Sequence, residues 1–148
     1  MHFILTVFKE ICAYLCCNTS YMRTILILGI SLLCLFSKAQ SVVKNVDAVE
    51  FKKLIDEHKS VLIDLRTNDE IKNKGMIKGA AQIDFLDKNA EATIDKLDKN
   101  KTYLIYCAGG GRSGDCAQLM QEKGFKSVVN LEKGFDDWKK KGFAIEKK

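Results

Sequence analysis

Between Tyr106 and Cys116 the chain reads YCAGGGRSGDC. Cys107 ends an apolar run, three glycines follow, and Arg112 and Ser113 close the turn. Such a loop matches four chemistries in outline: a dinucleotide, a phosphate, a metal, or the sulfur of Cys107 itself. Gly109, Gly111 and Gly114 trace G-x-G-x-x-G, with the acidic Glu132 further on. In this sequence 16 residues follow Glu132, too few for the second half of a dinucleotide sheet. That fingerprint also calls for no cysteine. A Walker-type loop needs G-K-[ST], where this chain has Arg112-Ser113 and a different glycine spacing. Residues 40–148 carry two cysteines and one histidine, short of the four ligands zinc usually takes. No metal and no cofactor is expected.

Cys107 itself then carries the chemistry. It stands between a strand and a helix N-terminus, beside Arg112, and each neighbour favours a thiolate. Glycines at 109–111 allow positive φ and remove side chains that would cover the sulfur. The glycines' N–H groups can turn toward the sulfur, and Arg112 adds positive charge. Cys116 falls on the apolar face of the following helix and reads as a small core residue.

The elements around the loop follow from hydrophobic periodicity. TYLIY (102–106) is a strand leading into it, and Ser113 to Lys123 a helix leaving it, capped by Gly124. Asp47 and Glu50 have capping-box spacing and open a helix over 47–58. His58 ends that apolar stripe and reads as a helix-end residue, not a ligand. SVLID (60–64) is a strand buried on both faces, and Thr67 with Glu70 opens a second helix toward Lys74. AAQIDF (80–85) is a further strand, and 89–100 a weaker helix on Ile94 and Leu97. SVVNL is the last strand, and Phe135 with Trp138 marks the last helix. Strands alternating with helices predict an α/β fold, a parallel central sheet of about five strands with helices on both faces.

Met22 onward, MRTILILGISLLCLFSKAQS, has the form of a secretory signal. Arg23 is the basic start, Thr24 to Phe36 the apolar stretch, and Ser37 and Ala39 the small residues before a cut. Thirteen residues rise about 20 Å as a helix, short of a ~30 Å hydrocarbon core. Residues 1–39 are thus expected to be a targeting segment, with cleavage near Ala39 and export to the periplasm or beyond. Residues 1–21 are expected to be an artefact of start-site choice. No membrane span is expected to remain after cleavage. Residues 40–148 form one domain with 21 Lys/Arg and 18 Asp/Glu, a net of +3. Those charges are interspersed and carry no aromatic-studded basic stripe, so no nucleic-acid partner is expected. A monomer is expected.

Over residues 42–144 the chain resembles the single-domain rhodanese family of sulfurtransferases. VLIDLRTNDEIKNKGMIKGAAQI is similar to the family's first signature, with Asp64, Arg66 and Glu70 in register. YCAGGGRS resembles its active-site loop, and GFKSVVNLEKGFDDW its C-terminal signature. Met76 and Lys78 replace a usual His and Pro, and Lys133-Gly134 replaces a usual Gly-Gly. The resemblance implies that Cys107 takes sulfane sulfur from thiosulfate or a persulfide. It implies that the substrate-binding segment is Ala108, Gly109, Gly110, Gly111 and Arg112, whose N–H groups would cradle the bound sulfur, and that the sulfur then passes to a thiol or cyanide acceptor, or to a thiol protein. Asp64 and Arg66 would line the site mouth or form a structural ion pair. Two alternatives stand beside this: a non-catalytic binding module, and a Cys-dependent phosphatase. The phosphatase signature has five residues between Cys and Arg; this chain has four.

Overall fold

The computed structural model describes residues 42–147. The expected targeting segment, 1–39, lies outside the described residues. The chain runs β1 (Val42–Val46), α1 (Ala48–Asp56), β2 (Val61–Asp64), α2 (Asn68–Lys74), β3 (Met76–Ile77) and β4 (Ala81–Gln82). It continues α3 (Ala90–Asp95), β5 (Thr102–Tyr106), α4 (Gly111–Glu122), β6 (Ser127–Leu131), α5 (Gly134–Lys140) and β7 (Ile145–Glu146).

Five strands form one sheet in the order β1-β6-β5-β2-β4, and every pair in it is parallel. The expected α/β architecture is present. Alternating side chains divide the core in two, as strand pleating requires. Ile63, Tyr103, Ile105, Cys107 and Val128 join Ile94, Cys116 and Met120 of α3 and α4 on one face. Leu62, Leu104, Tyr106, Val129 and Leu131 join Phe51, Phe135 and Trp138 of α1 and α5 on the other.

Several boundaries differ from expectation. β1 was not anticipated: VVKNV is mostly exposed, and only its parallel pairing with β6 makes it a strand. The strand expected over 80–85 holds its ladder only at Ala81–Gln82. Beyond it, Ile83 and Phe85 donate to the carbonyls of Asp64 and Leu65 at 3.0 and 3.3 Å. The helix expected over 89–100 ends at Asp95, where Lys96 and Leu97 bond three residues back and tighten the last turn. A small antiparallel pair, β3 with β7, was also unforeseen. His58 lies exposed beyond α1 with φ +51°.

Of the two capping boxes, Thr67 and Glu70 make both halves. Asp47 accepts from Val49 and Glu50 N–H at 2.9 Å, but Glu50 turns to Lys44 instead of reciprocating.

The sheet order places the site. From β2 the chain moves outward to β4; from β5 it moves the opposite way to β6. The C-terminal ends of β2 and β5 therefore flank a topological switch point, where open α/β sheets leave a crevice. Cys107 follows β5 and Arg66 follows β2 at that end of the sheet.

Candidate functional site

Cys107 is 2% exposed, and its Sγ receives the Gly110 N–H at 3.2 Å. The Ser113 hydroxyl lies 3.5 Å from the same sulfur and 3.1 Å from the Gly110 carbonyl. Its one proton serves either; a negative sulfur draws it from the carbonyl. Two of the loop's carbonyls are held from the other side. Those of Cys107 and Ala108 accept from Phe135 and Asp136 N–H at 2.8 and 3.0 Å. α5 thus holds two loop carbonyls from behind. On the sulfur side, α4 starts at Gly111 with its first-turn N–H groups and positive dipole end. The sulfur thus faces one backbone N–H and one hydroxyl.

Two glycines are sterically required. Gly110 has φ +98°, and a Cβ there would stand 1.8 Å from the Glu132 carbonyl oxygen. Gly134 has φ +61°, and its Cβ would meet the Ala108 oxygen at 2.4 Å. Lys133 has φ −101°, so the first position of the Lys133-Gly134 pair needs no glycine. Gly109 and Gly111 are exposed, and a Cβ at either meets nothing within 4 Å.

Arg112 does not stand free. Its guanidinium donates to both carboxylate oxygens of Glu70, Nη1 at 2.8 Å and Nη2 at 2.6 Å. Arg112's hydrogen bonds hold the Glu70 carboxyl at a pKa of about 2, well below its ordinary 4.5. Glu70 is also the capping residue of α2, taking the Thr67 N–H at 3.1 Å. One carboxylate therefore joins the start of α2 to the start of α4. The two residues are 42 positions apart, so no local pattern predicts the pair.

Asp64 and Arg66 are both 0% exposed and do not line a mouth. Arg66 Nε reaches Asp64 Oδ1 at 2.9 Å, and Nη2 reaches Asp64 Oδ2 at 2.6 Å and the Gly75 carbonyl at 2.8 Å. Its guanidinium lies 3.9 Å from the Phe135 ring centroid. Phe135 in turn donates to the Cys107 carbonyl. The pair is a buried brace behind the loop, with the Tyr106 and Phe135 rings against the guanidinium.

Cys116 is 1% exposed, and burial pushes its thiol up to about 12, so it stays protonated in the core. A cleft of about 540 Å³ opens elsewhere, among Ile55, Leu62, Leu104 and Trp138, and none of its lining residues belongs to the cysteine loop. Among the described residues no acidic, His and Cys cluster could hold a metal.

A family model, the rhodanese-like domain, matches residues 47–141. The chain belongs to the rhodanese-like family. This rhodanese-like chain is 31% identical over 96 residues to the thiosulfate sulfurtransferase GlpE of Coxiella burnetii, covering 65% of this chain and 87% of that one. It is 35% identical over 95 residues to a sulfurtransferase of Allochromatium vinosum, covering 64% and 85%. A longer Bacillus subtilis relative is 30% identical over 103 residues, and this chain spans 54% of it. Among solved structures, a rhodanese-like domain protein of Staphylococcus aureus superposes with a TM-score of 0.59 at 30% identity, covering 70% of this chain and 98% of that one.

Proposed function

We propose that this rhodanese-like domain is a sulfurtransferase that carries sulfane sulfur as a Cys107 persulfide. The observation that carries the reading is the polarity of the loop. The Gly110 N–H and the Ser113 hydroxyl face the Cys107 sulfur, while the Cys107 and Ala108 carbonyls are bound by α5. The Cys107 thiolate attacks the sulfane sulfur of a donor, and the donor's S–S bond breaks. Loop amides of 108–112 cradle the new terminal sulfur as an anion nest would. An acceptor thiol or cyanide then removes that sulfur and frees the thiolate, a two-step covalent catalysis. The names of the relatives support sulfur transfer in general; the residue roles are this proposal's own. No step calls for a metal or cofactor.

The test is intact mass after exposure to thiosulfate or a persulfide, followed by cyanide. One added sulfur atom on Cys107, discharged as thiocyanate, is the expected result. A wild-type protein that takes sulfur from no donor would falsify the enzyme reading and leave a binding module.

We also propose that residues 22–39 direct export and are removed near Ala39. The support is the sequence pattern of Arg23, the apolar stretch and the small residues Ser37 and Ala39.

A further inference from the structure

The cleft beside Trp138 takes no part in the proposed sulfur transfer. Its floor is apolar: Leu62 of β2, Leu104 of β5 and Trp138 of α5 line it, each no more than 8% exposed. Its rim is polar and carries Lys52 and Asp56 of α1, His58 and Lys78. Lys52 is tied to Asp56, its Nζ meeting the two carboxylate oxygens at 2.7 and 2.6 Å. Lys78 makes no hydrogen bond or ion pair among the described residues, so the rim holds one unanswered positive charge. That lysine stands where the rhodanese signature usually has proline, so the charge belongs to this chain and not to the shared fold. His58, the described non-glycine residue with positive φ, stands on the same rim. Backbone strain of that kind gathers at binding sites.

We propose that this cleft is a second ligand site, taking a small monocarboxylate whose apolar body lies on Leu62, Leu104 and Trp138 and whose carboxylate meets Lys78. The volume, about 540 Å³, falls within the range of about 300–1,000 Å³ in which small-molecule sites are found. Such sites pair apolar walls with a few polar groups that fix orientation. The charge count selects the head group. The amide next to Lys78, the Gly79 N–H, is already held by Glu146 Oε1 at 3.3 Å. Lys78 is therefore a point charge and not part of an anion nest. A dianion such as a phosphate ester would face Asp56 and Glu146 with a single free cation to answer two charges. A carboxylate brings one charge and matches it. The site stands apart from the cysteine loop and does not depend on the sulfur-transfer reading.

Trp138 is the chain's one tryptophan, so its fluorescence reports on the cleft. The test titrates the full chain with octanoate, octanol and octylammonium, three probes with one apolar body and different head charge. Octanoate should shift Trp138 emission saturably, with a Kd below about 1 mM. Octanol should bind about threefold or more weakly, and octylammonium more weakly still. Lys78→Gln, a change at an exposed side chain, should weaken octanoate by about threefold or more and leave octanol unchanged. Lys133→Gln removes the same charge from an exposed lysine outside the cleft and should leave octanoate binding as it is. In the wild type, methyl NMR shifts on octanoate binding should fall on Ile55, Leu62 and Leu104. No saturable change with octanoate overturns the proposal. So does octanol or octylammonium binding as tightly as octanoate, an equal loss in Lys133→Gln, or NMR shifts confined to the loop of residues 107–112.

Discussion

At the scale of single residues the loop separates glycines by need. Gly110→Ala puts a Cβ 1.8 Å from a backbone oxygen at a positive φ. It should lower stability by about 2 kcal/mol or more and disturb sulfur transfer. Gly109→Ala meets open space and should stay within about 0.5 kcal/mol of wild type. Thermal unfolding of the two variants side by side checks both. The cysteines separate in the same way. Cys107→Ser should abolish persulfide formation while unfolding at an unchanged temperature. Cys116→Ala should keep most activity and lose about 1–2 kcal/mol as a small buried truncation. Equal loss of activity in the two variants would mean that the thiols act together.

At the scale of elements, two ion pairs hold the crevice in different ways. Asp64 and Arg66 tie the end of β2 to the end of α2 and to Phe135 of α5. Arg66→Met leaves the Asp64 carboxylate buried without its partner and should cost about 3–5 kcal/mol in denaturant unfolding. A loss under about 1 kcal/mol would show that the brace is dispensable. Glu70 and Arg112 join α2 to α4 nearer the surface. The Glu70 pKa is lowered in the fold, so its contribution is present above about pH 4.5 and disappears as pH falls toward about 2. Solvent screening limits that contribution to about 1–2 kcal/mol. The stability gap between wild type and Glu70→Gln should accordingly be largest near neutral pH and close on acidification. A gap independent of pH would show that the pair adds nothing through charge.

At the scale of the whole molecule, the parallel sheet ends in two unlike edges. β4 pairs over two residues, and β1 carries Lys44 tied to Glu50. Short or charged edges discourage strand addition, so a monomer is expected by analytical ultracentrifugation. Export predicts that protein recovered from its native cells begins at Gln40. Intact mass reads this directly, and a cytosolic protein retaining residues 22–39 would contradict it.

The cysteine loop, the strand before it and the helix after it were legible along the chain, because each is written in adjacent residues. An apolar run ends at Cys107, glycines permit the turn, and the 3.6 period resumes beyond it. The α2 box was legible for the same reason: Thr67 and Glu70 are neighbours on one turn. The parallel sheet followed from strands and helices in alternation. Tertiary structure alone decided the rest. β1 is a strand only because β6 lies beside it, since its own residues lack a buried run. Asp64 and Arg66 have the same chemistry in a mouth or in a core, and only the tertiary packing, with the Tyr106 and Phe135 rings against the guanidinium, places them inside. Gly134 shows its need only where α5 meets the Ala108 carbonyl. Arg112 looks like a free cation in sequence; the carboxylate that neutralises it arrives from 42 residues away. Charge along a chain is a local property, but net charge at a site is set by whatever the fold brings within hydrogen-bonding distance.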